Sequence, residues 1–204
     1  MTPVEPGTRP RVEGDRESEI LAAGVEVLLE VGFDRLTMDA VAQRAQASKA
    51  TLYRRWGDKA SLVAAALARH KGSAAPPPDT GSLREDLRGM FCASEGLTDP
   101  ATSALMGSVV TAIARDPQFA TAFRTQVVGP KVAASRVIWE RARERGDLRP
   151  DADLDLLESA LAGIVLHRAF VLGEVPDEAT VTRVIDQVVL PAALAAAAPA
   201  PSHA

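Results

Sequence analysis

Two short runs of helical pattern, opening at Thr37 and at Ser48, are separated by only a few residues, about 45–48. Thr37 is a good N-cap for the first run, whose Met38, Val41, Ala42 and Ala45 share one face. Ser48 caps the second, which holds Leu52 and Trp56 four residues apart. So short a join forces two short helices to cross steeply. Any fold for this chain has to contain that crossed pair.

The rest of the chain predicts an all-α protein of about nine helices. No stretch alternates β-branched residues between hairpin turns. Over 16–31, Ile20, Leu21, Gly24, Val27, Leu28 and Val31 recur at helical spacing, and Gly32 ends the run. Asp58 caps a fourth helix reaching about Lys71. "GSAAPPPDTGS", residues 72–82, carries three consecutive prolines and cannot continue a helix. Five further helices are predicted over 82–95, 100–115, 117–145 with a break at Gly129-Pro130, 152–172 and 177–194, with Asp116-Pro117 a cap followed by a first-turn proline and Asp151 or Asp153 the cap of 152–172. The expected organisation is an arm over 1–15, a three-helix unit with its linking helix over 16–71, a Pro-rich linker over 72–82, a larger helical unit over 83–194 and a disordered tail over 195–204.

Net charge over the 204 residues is −4, but its distribution is uneven. Residues 44–59 hold Arg44, Lys49, Arg54, Arg55 and Lys59 against Asp58 alone, a balance of +4. Because salt screens charge within ~8–10 Å, a local patch matters more than the total. That patch lies on the second helix of the crossed pair, and in helix-turn-helix units the second helix enters the DNA major groove. Leu52 and Trp56 are expected in the core. Lys49, Ala50, Thr51 and Arg54 can reach base edges, while Tyr53, Arg55 and Lys59 flank them within reach of phosphates. Arg9, Arg11 and Arg16 offer a basic arm for a minor groove.

The segment resembles the TetR family of bacterial transcription regulators. Thr37, Ser48, Thr51, Leu52, Tyr53, Trp56 and Lys59 stand where that family has them, as do Gly32, Phe33, Val41 and Ala42 of "ILAAGVEVLLEVGFDRLTMDAVAQRA". The resemblance covers about residues 16–71. It implies a DNA-binding set of Thr37, Ser48, Lys49, Ala50, Thr51, Tyr53, Arg54, Arg55 and Lys59, with Thr37, Tyr53, Arg55 and Lys59 on phosphates. One departure lies in the turn: Gln46 and Ala47 stand where the family has Gly then Val. A non-glycine in a left-handed turn costs about 1 kcal/mol.

The second half is expected to bind a small hydrophobic or aromatic effector between its helices. Candidate walls are Phe91, Met106, Val110, Phe119, Phe123, Trp139 and His167, the histidine supplying a polar contact. Residues 152–172 have two apolar faces, one through Leu154, Leu157, Leu161, Ile164 and Val165, the other through Leu156, Ala160, Gly163, His167 and Val171. A helix apolar on two sides is buried on two sides. Together with Val184 and Val188 of the last helix, Ala160 and Gly163 are the candidate homodimer interface. A two-fold dimer presents two recognition helices to a pseudo-palindromic double-stranded operator.

Other chemistries find no pattern. "DADLD" at 151–155 opens like a calcium loop, but Leu156 and Ala162 stand where that loop needs Gly and Glu. The histidines show no metal spacing, and no phosphate loop, dinucleotide fingerprint or nucleophile elbow occurs. No cofactor, metal or catalytic residue is expected, and Cys92, the lone cysteine, reads as a small core residue in a reducing, cytoplasmic setting. No apolar run approaches the ~18 residues of a membrane span, and the N-terminus lacks the pattern of a signal peptide. The residues thus point to a ligand-responsive DNA-binding regulator, most simply a repressor. The alternatives are a small-molecule-binding helical protein or enzyme with an incidental basic helix, and a ligand-independent DNA binder.

Overall fold

The computed structural model describes residues 13–70, 76–92 and 100–194. Its segments are α1 (Glu13–Arg35), α2 (Met38–Arg44), α3 (Lys49–Trp56), α4 (Lys59–His70), α5 (Leu83–Phe91), α6 (Pro100–Arg115), α7 (Pro117–Phe123), α8 (Gly129–Glu144), α9 (Leu154–Phe170), α10 (Glu178–Val184) and α11 (Leu190–Ala193). A π-helical turn over Arg124–Val128 fuses α7 to α8, and another over Ile185–Val189 fuses α10 to α11. The described residues therefore form nine helical rods. Their only β feature is an isolated antiparallel bridge between Leu148 and Leu194.

The caps come from the expected side chains. Thr37 Oγ1 accepts from Ala40 N, Ser48 Oγ from Thr51 N and Asp58 Oδ1 from Ser61 N. Asp116 and Asp153 do the same for α7 and α9. Gly32 turns the end of α1 at φ 74°.

The expected break at Gly129-Pro130 is not a break. Pro130 has no N–H, and its ring would clash with the carbonyl four residues back in an α-helix. The π turn resolves this by adding a residue: Gly129 N donates to Arg124 O, five positions back. A Cβ at Gly129 would stand 3.3 Å from that oxygen. The second π turn likewise runs into a proline, Pro191, with Leu190 N donating to Ile185 O.

Two cores form. The first joins α1–α4 through Leu28, Val41, Leu52, Leu62 and Val63, each fully buried, and draws in Val109 and Ala112 from α6 and Phe119, Phe123 and Val127 from the first half of the α7–α8 rod. The second joins α5, α8, α9 and α10–α11 around Trp139, Ile138, Leu161 and Ile185. Burying each such side chain stabilises by ~1.5–3 kcal/mol. The α7–α8 rod thus has one end in each core. The described part of the expected linker, residues 76–82, packs on the second unit: Thr80 donates through N and Oγ1 to the buried Asp86, and Arg141 Nη1 reaches Pro78 O at 3.0 Å. The arm before residue 13, including Arg9 and Arg11, and the tail over 195–204 lie outside the described residues.

Candidate nucleic-acid interface

The join between α2 and α3 is built by backbone geometry. Gln46 has φ 51°, in the left-handed region, where it is the only non-glycine among the described residues. Gln46 N donates to Gln43 O and Ala47 N to Ala42 O, the paired bonds that close a helix C-terminus and reverse the chain. Arg16 Nη2 donates to Gln46 O at 2.6 Å, tying α1 to the turn. Arg16 is thereby occupied with the turn and with Glu19.

The turn sets α3 with Leu52 fully buried and Trp56 half-buried against the first core. Lys49, Ala50, Tyr53, Arg54 and Arg55 are exposed, and Tyr53 is 52% exposed despite its size. The Arg54 side chain forms no hydrogen bond or ion pair with the described residues. The other cations have partners. Lys49 pairs with Asp39, Arg55 Nη2 with Glu17 at 2.7 Å, and Arg44 with Glu26 and Glu30 on α1. Lys59, half-buried, donates to Phe33 O at 3.2 Å and sits 4.5 Å from the centre of the Phe33 ring. Ser48 and Thr51 share a 2.8 Å hydroxyl contact as well as the cap. The carboxylates Asp39 and Glu17 were not among the sequence candidates, since nothing in their spacing shows that they meet the basic helix.

The pocket candidates do not converge. Phe119 and Phe123 belong to the first core, and Met106 packs against it. Val110 is 47% exposed and His167 is exposed. Phe91 and Trp139 line a common gap, with Ser135 and Glu158 beside them. Of the interface candidates, Val184 is buried in the second core. Ala160 is half-buried, Gly163 is exposed with nothing within 4 Å of an added Cβ, and Val188 is 43% exposed. No group of three or more metal-ligating side chains occurs among the described residues. No described helix is long and apolar enough to cross a membrane.

An exposed, capped basic helix set across a tight turn on a small helical core is a helix-turn-helix DNA reader. Residues 20–66 match the model for bacterial regulatory proteins of the tetR family, and residues 77–188 match that for the tetracyclin repressor-like C-terminal domain. An uncharacterized HTH-type transcriptional regulator of Mycobacterium tuberculosis is 36% identical over 187 residues, covering 90% of this chain and 91% of its own. The DNA-binding transcriptional repressor TetR of Mycobacteroides abscessus is 34% identical over 176 residues, 86% of this chain and 92% of its own. The crystal structure of the TetR family transcription regulator SCO0332 superposes with TM-score 0.69 at 30% identity, covering 86% of this chain and 97% of that one. The protein is a DNA-binding transcription regulator and not an enzyme. It belongs to the TetR family.

Proposed function

We propose that the protein is a homodimeric repressor that leaves a pseudo-palindromic operator when a small hydrophobic or aromatic effector enters the second core. The observation that carries this reading is the α7–α8 rod, which has Phe119 and Phe123 in the core that supports α3 and Trp139 in the core of α5 and α9. A ligand that prefers a shifted α8 biases the position of the DNA-reading unit, and only such differential affinity moves the equilibrium. Repression is supported by the Mycobacteroides abscessus relative, whose name describes a repressor.

In this reading residues 16–71 read DNA and 83–194 bind the effector and the partner. Lys49, Ala50, Thr51 and Arg54 meet base edges; Thr37, Tyr53, Arg55 and Lys59 meet phosphates, and Ser48 holds the helix start. The partner is a second copy docked on the outer face of α9. There Leu156 and Val171 are 65% and 69% exposed, Gly163 leaves room for close approach, and Val188 lies open on the neighbouring rod. Selection of bound duplexes from a random pool tests the reading. The expected product is two inverted half-sites about one helical turn, or a multiple, apart. Recovery of a single unrepeated site, or of no sequence, overturns it.

A further inference from the structure

Inside the second core, Ser135 Oγ, Trp139 Nε1 and Glu158 Oε1 have no hydrogen-bond partner among the described residues. Ser135 is 4% exposed, Trp139 1%, and the Glu158 side chain 7%. All three residues line one gap, walled otherwise by apolar side chains including Leu87, Phe91 and Leu161. The gap admits no water-sized sphere, so solvent cannot satisfy these atoms in the closed form. Buried polar groups left unpaired forfeit their hydration without compensation, and natural cores hold few.

Glu158 is balanced only from one side. Arg136 Nη2 donates to Glu158 Oε2 at 3.1 Å, while Arg136 Nε lies 2.9 Å from Oε1 without hydrogen-bond alignment. Arg136 also pairs with Asp155. Burial pushes the Glu158 carboxyl up, against the pull of Arg136.

We infer that Ser135, Trp139 and Glu158 form the polar subsite for the effector and select a small aromatic or apolar molecule carrying a hydroxyl group. The inference rests on the effector reading above. A hydroxyl is the simplest group that serves both demands from one atom. Its proton is donated to Glu158 Oε1 and its oxygen accepts from Trp139 Nε1, with Ser135 Oγ able to take either role. A carboxylate ligand meets the Glu158 charge, and a quaternary ammonium leaves Trp139 Nε1 unpaired. His167, the polar contact expected from sequence, lies exposed and is replaced by these three. Opening the gap displaces α8, and with it the rod that reaches Phe119.

The test uses phenol and toluene, which share a shape and differ in the hydroxyl. Each is titrated into the full chain with its affinity read by calorimetry, while the indole N–H signals of the two tryptophans, Trp56 and Trp139, are followed by NMR. Trp139→Phe assigns the signals, and the circular dichroism and cooperative thermal unfolding of each variant report that it stays folded. Phenol is expected to move the Trp139 signal downfield and to bind ~10-fold or more tightly than toluene, as sites built to bond a hydroxyl reject analogues lacking it. Glu158→Leu and Trp139→Phe are each expected to shrink that preference to roughly threefold or less. Equal binding of the two probes, a preference that survives in both variants, or no binding of phenol overturns the subsite. Operator affinity measured on the same samples separates the two readings. Selective phenol uptake with unchanged operator affinity keeps the hydroxyl site and sinks the effector role. Operator release by phenol and toluene alike keeps the effector role and sinks the subsite.

Discussion

The ring of Phe119 on α7 lies 4.2 Å from that of Phe33 at the end of α1, tilted by 35°. Phe33 in turn supports Lys59 at the start of α4 through its ring and its carbonyl. A residue of the second half thus reaches, through one aromatic contact, a lysine proposed to meet the DNA phosphates. Gln118 Nε2, donating to Asp58 Oδ2 at 2.6 Å, runs beside it. Phe119→Ala is expected to lower stability by about 3–5 kcal/mol, the range for removing a buried phenyl ring. Phe119→Leu should lose far less, and chemical denaturation of the two variants checks the difference.

Lys59→Ala should weaken binding to specific and random duplexes about equally and flatten the salt dependence by about one unit of slope. Binding measured over a range of salt concentrations decides it. An unchanged slope would leave Lys59 as a brace on Phe33 alone.

Asp39 holds Lys49 in the free protein. Both side chains are more than half exposed, so the pair itself adds little stability. Asp39→Asn is therefore expected to leave the thermal midpoint nearly unchanged and to tighten DNA binding by about two- to fivefold, since Lys49 no longer leaves a partner and one negative charge is gone from the interface. Lys49→Ala should cost ~1–3 kcal/mol on the operator and relax preference at one base pair per half-site. A loss spread evenly over all sequences would put Lys49 on the backbone.

Gln46 carries its turn at a φ that glycine adopts freely. Gln46→Gly should add about 0.5–1 kcal/mol, the relief of left-handed strain less the entropy of glycine. Gln46→Val, β-branched, should lose about 1–2 kcal/mol. The bond from Arg16 ends on the backbone oxygen and persists in both. Thermal unfolding ranks the three proteins.

Gly163→Leu adds bulk where the subunit has open space. The monomer fold is expected to be intact, while dimerisation and operator affinity both fall, because two half-site contacts bind tightly only when tethered. Sedimentation equilibrium reads the first and operator titration the second. A tight dimer of unchanged affinity would move the interface off this face.

Asp186 is held below the ordinary aspartate value of 3.8 by hydrogen bonds from Arg84 Nε and Nη2 at 2.6 and 2.8 Å, and Asp177 by its cap on Thr180. A carboxyl whose folded value is lowered contributes stability that is complete well above the unfolded value and lost as pH falls through the folded one. Asp177 caps α10 and Asp186 ties the π turn after it to α5, so helicity should fall as pH drops below about 4, where aspartates begin to protonate. Arg84→Met should remove the Asp186 share. A circular-dichroism titration of both proteins checks this: the variant's stability should depend less on pH in that window.

Much of the local structure was legible in the residues themselves. Caps at Thr37, Ser48, Asp58, Asp116 and Asp153 and the stop at Gly32 depend on a side chain and the few backbone groups after it, so spacing suffices to find them. The basic helix was legible for the same reason, since Leu52 and Trp56 fix which face is left for Lys49, Tyr53 and Arg54. Tertiary packing decided the rest. A proline reads as a break, yet the π turns before Pro130 and Pro191 carry both rods through, because burial on either side outweighs the strained turn. Phe119 and Trp139 are equally apolar in sequence, and only the path of one long rod sends the first to the DNA-reading core and the second to the other. Glu158 stands at helical spacing between Leu154 and Leu161, but the sequence reading did not single it out. Its meaning, however, depended on Ser135 and Trp139 arriving from another helix, and contacts between distant segments leave no trace in the spacing of either.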